Sequence, residues 1–226
     1  SELGFFDLFD NKPKKPKLIN VKEPDVNYVN YLKGKCGDSE KTRTLKEALL
    51  KLVDTKQIKK WTFLHSGLTE AITNVSHHAY PDSGHYKSCD KNWYLTGSFN
   101  KSTRRMKIVF YDQGIGIPKS LPASEIFEKV LSYISKLPLK GSDRWQDEVL
   151  LRAAVEMDRT STYDTDRGKG LQDFQVFIDQ LGSGSLSIIS QKGLYKYTVK
   201  NDVSTIKTVN FKRPVYGTLI IWSVVL

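Results

Sequence analysis

The sequence has few of the features that would support a disulfide framework or a membrane span. It has two cysteines among 226 residues, Cys36 and Cys89, which excludes a disulfide-rich fold and makes a reducing setting the expectation. No run approaches the roughly 18 consecutive apolar residues of a membrane helix. The first residues, 1–4, also lack the basic-then-apolar pattern of a secretory signal. We therefore expect a cytoplasmic protein with no membrane-spanning segment.

Acidic residues are outnumbered by basic ones. The chain has 35 Lys and Arg against 25 Asp and Glu, which gives a net charge of +10. Such a charge favours anionic partners, including nucleotides, nucleic acids and acidic protein surfaces, but it does not choose among them. The hydrophobic fraction of 39% is high enough to exclude wholesale disorder, and a chain of this length can bury a substantial core.

The chain divides into an N-terminal extension and one larger domain. Residues 1–30 contain lysines interleaved with prolines, which favours an extended segment. This segment is either a linker or an arm that docks through its phenylalanines. Apolar residues at helical spacing predict a helix over about 44–60. We assign 1–60 to a basic leader and helical extension, and 61–226 to a single domain.

Periodicity within the domain predicts helices that precede a β-rich end. Helices are predicted over about 62–79, 124–137, 145–158 and from the 168–171 segment to about 181, with strands over 93–99, 106–112, 185–190, 194–200, 203–211 and 218–225. This order predicts an α+β fold, a two-layer sandwich in which helices cover one face of a mixed, mostly antiparallel sheet.

The predicted helix over 62–79 presents three polar residues in a row beside its apolar stripe. Glu70, Asn74 and His78 recur every four residues and follow one arc of the helix surface. The row therefore displays a carboxylate, an amide and an imidazole together. Taken alone, the pattern indicates a solvated helix face.

A glycine-containing turn follows the predicted strand over 106–112. In Asp112-x-Gly114-x-Gly116 the two glycines allow positive φ angles and a close approach of the backbone. An acid at the end of a strand can accept a hydrogen bond from an amino group in a pocket beneath it. Taken by itself, the pattern is weak and indicates a plain strand followed by a turn.

Two further glycine segments lie later in the chain. The segment 168–171, Gly-Lys-Gly-Leu, opens a helix, whose unpaired amides and adjacent lysine can hold a phosphate. Gly217-Thr218 opens the last apolar strand and places a hydroxyl where it can face the same pocket. Each segment is a weak signal when taken by itself.

Together and in this order, the four segments resemble the GHKL family of ATP-binding domains. That family includes the ATPase domains of gyrase, a heat-shock chaperone, sensor histidine kinases and MutL. The row from Glu70 to His78 is similar to its N box, 112–116 and 168–171 to its two glycine boxes, and 217–218 to its closing strand. The resemblance covers about 60–226 and implies a Bergerat fold that binds ATP and Mg²⁺.

The resemblance also implies roles for individual residues. Asp112 would accept a hydrogen bond from the adenine amino group, with support from Thr218. Asn74 would ligate Mg²⁺, and Glu70 would either position the attacking water or orient Asn74 and the waters of the metal. Residues 119–167, the lid segment, would close over the nucleotide. The other residues expected along the nucleotide are His78, Gly114, Gly116, Gly168, Lys169, Gly170 and Leu171.

Several outcomes for bound ATP stay open. The first is a slow ATPase or an ATP-gated switch within a larger protein or complex, and the second is a serine/threonine kinase of the anti-sigma type. Autophosphorylation is disfavoured because residues 1–60 do not resemble the helical hairpin that carries the phosphorylated histidine of a sensor kinase. A non-enzymatic module that binds nucleic acid through the leader lysines is a further alternative.

Zinc is the other metal that the composition suggests. All four histidines lie between His65 and His85, with Cys89 nearby. However, His77 and His78 are adjacent and diverge on a helix, and no paired cysteine motif completes a tetrahedral set. We therefore do not expect a zinc site.

Overall fold

The computed structural model describes residues 25–36, 38, 40–52, 61–82, 86–87, 91–161 and 170–226. The strands are β1 (Val26–Lys35), β2 (Asn92–Asn100), β3 (Arg105–Asp112), β4 (Ser183–Lys200) and β5 (Val203–Val225). The helices are α1 (Glu40–Leu52), α2 (Trp61–Asn74), α3 (Ile117–Ser120), α4 (Phe127–Ser135), α5 (Asp147–Ser161) and α6 (Gly170–Leu181). A π-helical segment, Val75–Ala79, continues α2, and 3-10 turns occupy Leu121–Ala123 and Gly141–Trp145.

The five strands form one sheet in the order β1-β2-β3-β5-β4. Each neighbouring pair is antiparallel, so the expectation of a mixed sheet is wrong for the strands that the structure describes. Two tight connections, β2 to β3 and β4 to β5, impose antiparallel pairing directly because a short turn reverses the chain. The α+β class and the two-layer arrangement agree with the prediction.

One face of the sheet carries the core. Side chains alternate across a strand, and the buried set on β2, β3 and β5 packs against α1, α2, α5 and α6 in a single cluster. Leu64 and Leu68 of α2 are completely or almost completely buried in it. The rings of Trp93 and Phe110 stack there with centroids 5.8 Å apart. A second, smaller cluster lies between α4 and α5 and contains Leu121, Val130, Ile134, Ala153 and Ala154.

The N-terminal part of the described chain differs from the expectation. β1 lies partly within the predicted leader and was not expected as a strand, yet it pairs with β2 along most of its length. α1 begins at Glu40 rather than near residue 44, and 53–60 lie outside the described residues. Leu45 and Leu49 of α1 are fully buried in the main cluster. Residues 26–52 therefore pack with the same core as the remainder of the fold.

The C-terminal hairpin is longer than expected. The sequence predicts two strands in each half, but β4 and β5 are each continuous and pair with each other through two irregular points near Gln191. Bulges of this kind bend a ladder without ending it. None of the described helices has the length and apolar character that crossing a membrane requires.

Candidate functional site

The predicted N box lies on α2 and on the π-helical segment that follows it. The predicted apolar stripe is buried, and Glu70, Asn74 and His78 are each partly exposed beside it. The widened π turn lies between Asn74 and Tyr80, and short π segments occur often at functional sites. Burial, and then the neighbouring His77, lower the pKa of His78, while Glu125 opposes the shift. The imidazole of His78 is therefore predominantly neutral at pH 7.

Asp112 is a buried acid at the end of the central strand β3. Its side chain is 3% exposed, and its Oδ1 accepts a hydrogen bond from the Gly114 amide at 2.8 Å. Burial raises the pKa of Asp112 to about 6, and hydrogen bonds from Gly114 and Thr218 oppose the shift. Because a carboxylate can accept several hydrogen bonds, this group can receive a further donor from a ligand.

The first glycine box is in direct contact with the end of the N-box helix. The Ile115 amide donates to the Ala79 carbonyl at 2.9 Å. A Cβ atom at Gly114 would lie 2.4 Å from that carbonyl oxygen, so only glycine permits this approach. Two segments that the sequence separates by more than thirty residues, the N box and the first glycine box, therefore meet here.

Thr218 lies opposite Asp112 in the β3–β5 ladder, as the predicted closing strand requires. It is buried, and the preceding Gly217 has a φ of +80°. A Cβ atom at Gly217 would lie 1.9 Å from the Asp112 carbonyl oxygen. The glycine therefore lets β5 pass directly beside the candidate acid.

Ser190 of β4 connects these segments and was not predicted from the sequence. Its fully buried hydroxyl accepts a hydrogen bond from the Ile117 amide at 2.9 Å and donates to the Gly217 carbonyl at 3.0 Å. It also lies 3.2 Å from the Thr218 hydroxyl oxygen. The next residue, Gln191, donates through Nε2 to the Ile115 carbonyl at 2.6 Å. These two side chains hold the first glycine box against β4, and Ser190 also links it to β5.

Tyr80 is a second residue that the sequence motifs did not include. Its hydroxyl donates to the Asn92 carbonyl at 2.7 Å and accepts from the Gln113 amide at 3.2 Å. Burial raises the pKa of Tyr80 far above its usual range, so the phenol stays protonated. Tyr80 thus fixes the chain just after Asp112 to the segment that follows the N box.

The second glycine box is described only in part. Gly168 and Lys169 lie outside the described residues, whereas Gly170 is the first residue of α6 and Leu171 the second. α6 packs against α2 and β4, so the helix that this box opens lies in the same layer as the N box. The opening of a helix at this glycine segment agrees with the prediction.

The lid segment contains ordered structure in its described part, 119–161. α4 and α5 share the smaller apolar cluster, and α5 packs against β4. At the start of α5 the Asp147 carboxylate accepts a hydrogen bond from the Lys192 amide at 2.9 Å. Burial also raises the pKa of Glu148.

Of the predicted site residues, the structure brings together Asp112, Gly114, Gly116 and Thr218, and Gly114 lies against Ala79. Asn74 and Glu70 lie farther back along the same helix, five and nine residues before Ala79. Among the described residues, no group of three or more His, Cys, Asp or Glu side chains could hold a metal ion. His85 and Cys89, which entered the zinc hypothesis, lie outside the described residues.

Comparison of the chain with models of known protein families found no match, and no curated protein matches it.

Proposed function

We propose that this chain binds ATP with Mg²⁺ and acts as a slow ATPase or an ATP-gated switch within a larger protein or complex. The observation that carries the proposal is the position of Asp112. A buried acid ends the central strand, Thr218 lies across the ladder from it, and the adjoining glycine box contacts the end of the N-box helix. This arrangement supports a Bergerat-type site, although the described sheet is antiparallel throughout.

The chemistry of the buried pair suits an adenine ring. Asp112 offers carboxylate oxygens to the exocyclic amino group, and the Thr218 hydroxyl, which donates to Asp112, has lone pairs that can accept a further hydrogen bond. Hydrogen bonds from Gly114 and Thr218 partly offset the rise in the pKa of Asp112, and no Lys or Arg among the described residues contributes to that offset. A hydrogen-bond donor from a ligand would therefore favour the ionised carboxylate further.

The row on α2 suits the metal and the phosphates. Mg²⁺ prefers oxygen ligands and retains several waters, so one amide oxygen from Asn74 is sufficient on the protein side when phosphate oxygens supply the others. Glu70, farther along the same face, would hold a water for attack on the terminal phosphate. We expect Gly168, Lys169 and Gly170 to contact the phosphates. We expect the lid segment outside α5, whose Leu151 and Val155 belong to the main core, to close over them.

Binding and turnover can be tested on the same preparation. We expect titration calorimetry to detect Mg-dependent binding of ATP. Asp112→Asn should weaken it by about tenfold to a hundredfold, since a charge-assisted hydrogen bond contributes about 1.5–3 kcal/mol. Failure of the folded wild-type protein to bind ATP, or unchanged affinity in Asp112→Asn, would remove this assignment.

Release of labelled phosphate from γ-labelled ATP then distinguishes hydrolysis, a switch and a kinase. Free phosphate that is lost in Glu70→Ala but retained in Glu47→Ala, an exposed helical carboxylate, supports hydrolysis. Bound ATP without release supports a switch. Label that appears on a partner protein points instead to the kinase alternative.

A further inference from the structure

The β4–β5 hairpin extends beyond the rest of the sheet as a two-stranded arm, residues 191–216. β5 pairs with β4 from Val203 to Asn210 and again at Val215, but its pairing with β3 begins only at Thr218. On the other side of β5, no strand among the described residues pairs with Val203 to Val215. The arm therefore has an open edge.

The turn of the arm determines which main-chain groups face that edge. Asn201 and Asp202 both have positive φ, 52° and 62°, and Lys200 pairs with Val203 across them, which is the geometry of a type I′ hairpin. The flanking pair of such a hairpin exchanges two hydrogen bonds, and every second residue then directs its N–H and C=O away from the partner strand. On β5 the outward residues are Ser204, Ile206 and Thr208.

The arm is also strongly basic. It contains six basic residues and one acidic residue, a net charge of +5 and half of the chain's +10. All six basic side chains are exposed, and they are Lys192, Lys196, Lys200, Lys207, Lys212 and Arg213.

Two of these lysines, Lys196 and Lys207, are direct cross-strand partners. They therefore lie on the same face of the arm, and Lys200 shares that face because it lies four residues along the strand. Like charges in this position destabilise a ladder. Among the described residues, no ion pair neutralises them. An anionic partner on this face would remove the repulsion.

We propose that the open edge of the arm is a docking site for an extended acidic segment of another protein, which adds to β5 as a further strand. The outward amides and carbonyls match a polypeptide strand and not a nucleic-acid backbone. Acidic side chains on the added strand would face Lys207, while alternate apolar ones would contact the 42% exposed Ile206. A second copy of the arm would bring lysine against lysine, and the lysine-rich leader is also positively charged. Neither is therefore the expected occupant of the open edge.

The test uses the full chain and a short synthetic peptide in which Glu alternates with Val and Thr. We expect the peptide to bind, with an affinity that falls as salt is added, and to slow hydrogen exchange at Ser204, Ile206 and Thr208. The neighbouring Thr205 and Lys207 amides are already paired with β4, so the peptide should slow their hydrogen exchange less. A peptide of the same charge with Pro in place of two Val residues should bind at least about tenfold more weakly, because Pro removes ladder donors.

Paired charge reversals test the electrostatic part. Lys196→Glu with Lys207→Glu should weaken peptide binding about tenfold or more, a change of about 1.4 kcal/mol. This variant keeps a like-charge pair in the arm, so its folding should match the wild type. Lys51→Glu with Lys101→Glu carries the same change of net charge at exposed positions elsewhere and should bind nearly as wild type.

Several results would overturn the proposal. Equal binding of the Pro peptide would show that charge alone attracts the ligand. Tighter binding of a single-stranded DNA of equal charge, with no protection of the three outward amides, would identify a nucleic-acid surface instead. Slow exchange of these amides before any peptide is added would show that the edge is already occupied.

Discussion

Asp112 couples the candidate site to the stability of the fold. Its pKa rises from 3.8 to about 6 on burial, so between these values the native state holds a proton that the unfolded state has lost. The free energy of unfolding contributed by this group therefore falls as the pH rises through that window, by about 3 kcal/mol in all. Above pH 6 the folded protein carries the full cost of a buried carboxylate.

We predict that Asp112→Asn removes this cost. The free energy of unfolding of the variant, relative to wild type, should increase between pH 4 and pH 7, and urea titrations at several pH values would measure it. Asp82→Asn, at an exposed position, is the control. A difference that stays constant with pH would mean that the native carboxyl titrates normally.

Ser190 gives a second prediction at the scale of a residue. Ser190→Ala leaves the Ile117 amide and the Gly217 carbonyl without their buried partner, which should cost about 2 kcal/mol of unfolding free energy. Because both groups adjoin the candidate site, ATP affinity should fall as well. Ser187→Ala, on the opposite face of β4, should change neither quantity appreciably.

A variant that is destabilised elsewhere separates the two effects of Ser190. Leu49→Ala removes a fully buried side chain of α1 and should cost about 2–5 kcal/mol. If it lowers ATP affinity as much as Ser190→Ala does, Ser190 contributes only to global stability and does not position the site.

The residues of the candidate site differ in how far the sequence could predict them. Asp112, Gly114 and Asn74 belong to segments with a recognisable spacing or a glycine requirement. Ser190 and Tyr80 act through hydroxyl groups that contact the backbone of distant segments, and no local pattern marks such contacts. One signal was present for Ser190, because the alternation of β4 places a polar residue on the buried face after Leu186 and Ile188.

At the scale of elements, Gly217 permits β5 to pass beside the end of β3. Gly217 and Gly141 both have positive φ, 80° and 53°, but a Cβ atom meets the Asp112 carbonyl at the first position and nothing within 4 Å at the second. Gly141→Ala should therefore cost about 1–2 kcal/mol for the backbone conformation alone. Gly217→Ala should cost about 1–3 kcal/mol more because the two strands must separate.

Thermal unfolding and ATP titration would measure both glycine variants. We expect ATP affinity to fall in Gly217→Ala and to persist in Gly141→Ala. Equal destabilisation by the two substitutions would show that the close approach of β5 to β3 is absent in solution.

The elements were predicted best where apolar periodicity is strong, as on α2 and β3. β1 was missed because most of its side chains are only partly buried and its pairing shifts between Val29 and Leu32, so alternation is weak. The sequence predicts two strands in place of each of β4 and β5, because Gly193 and the extra residues 211–214 of β5 are typical of a turn. Only pairing between distant segments distinguishes a bulge from a turn.

At the scale of the whole molecule, ATP and Mg²⁺ should stabilise the native state by an amount that depends on the ligand concentration relative to the dissociation constant. At a hundredfold excess over the dissociation constant, a ligand that binds only the folded chain adds about 2.7 kcal/mol. For a protein of this length, 1 kcal/mol shifts the melting temperature by about 2–4 °C. The expected rise with saturating ATP and Mg²⁺ is therefore about 5–10 °C.

The proposed metal role of Asn74 gives a further prediction. We predict that Asn74→Ala loses the part of this rise that Mg²⁺ adds, while the smaller rise with ATP in EDTA is unchanged, because the substitution removes the proposed metal ligand and leaves Asp112 in place. His65→Ala, an exposed position on α2, should keep the full response to Mg²⁺. If Asn74→Ala retains the whole Mg²⁺ increment, the metal is held by other groups and the N-box row does not reach the phosphates. If it loses the rise in EDTA as well, the substitution has disturbed the adenine site, and Asn74 cannot be assigned to the metal.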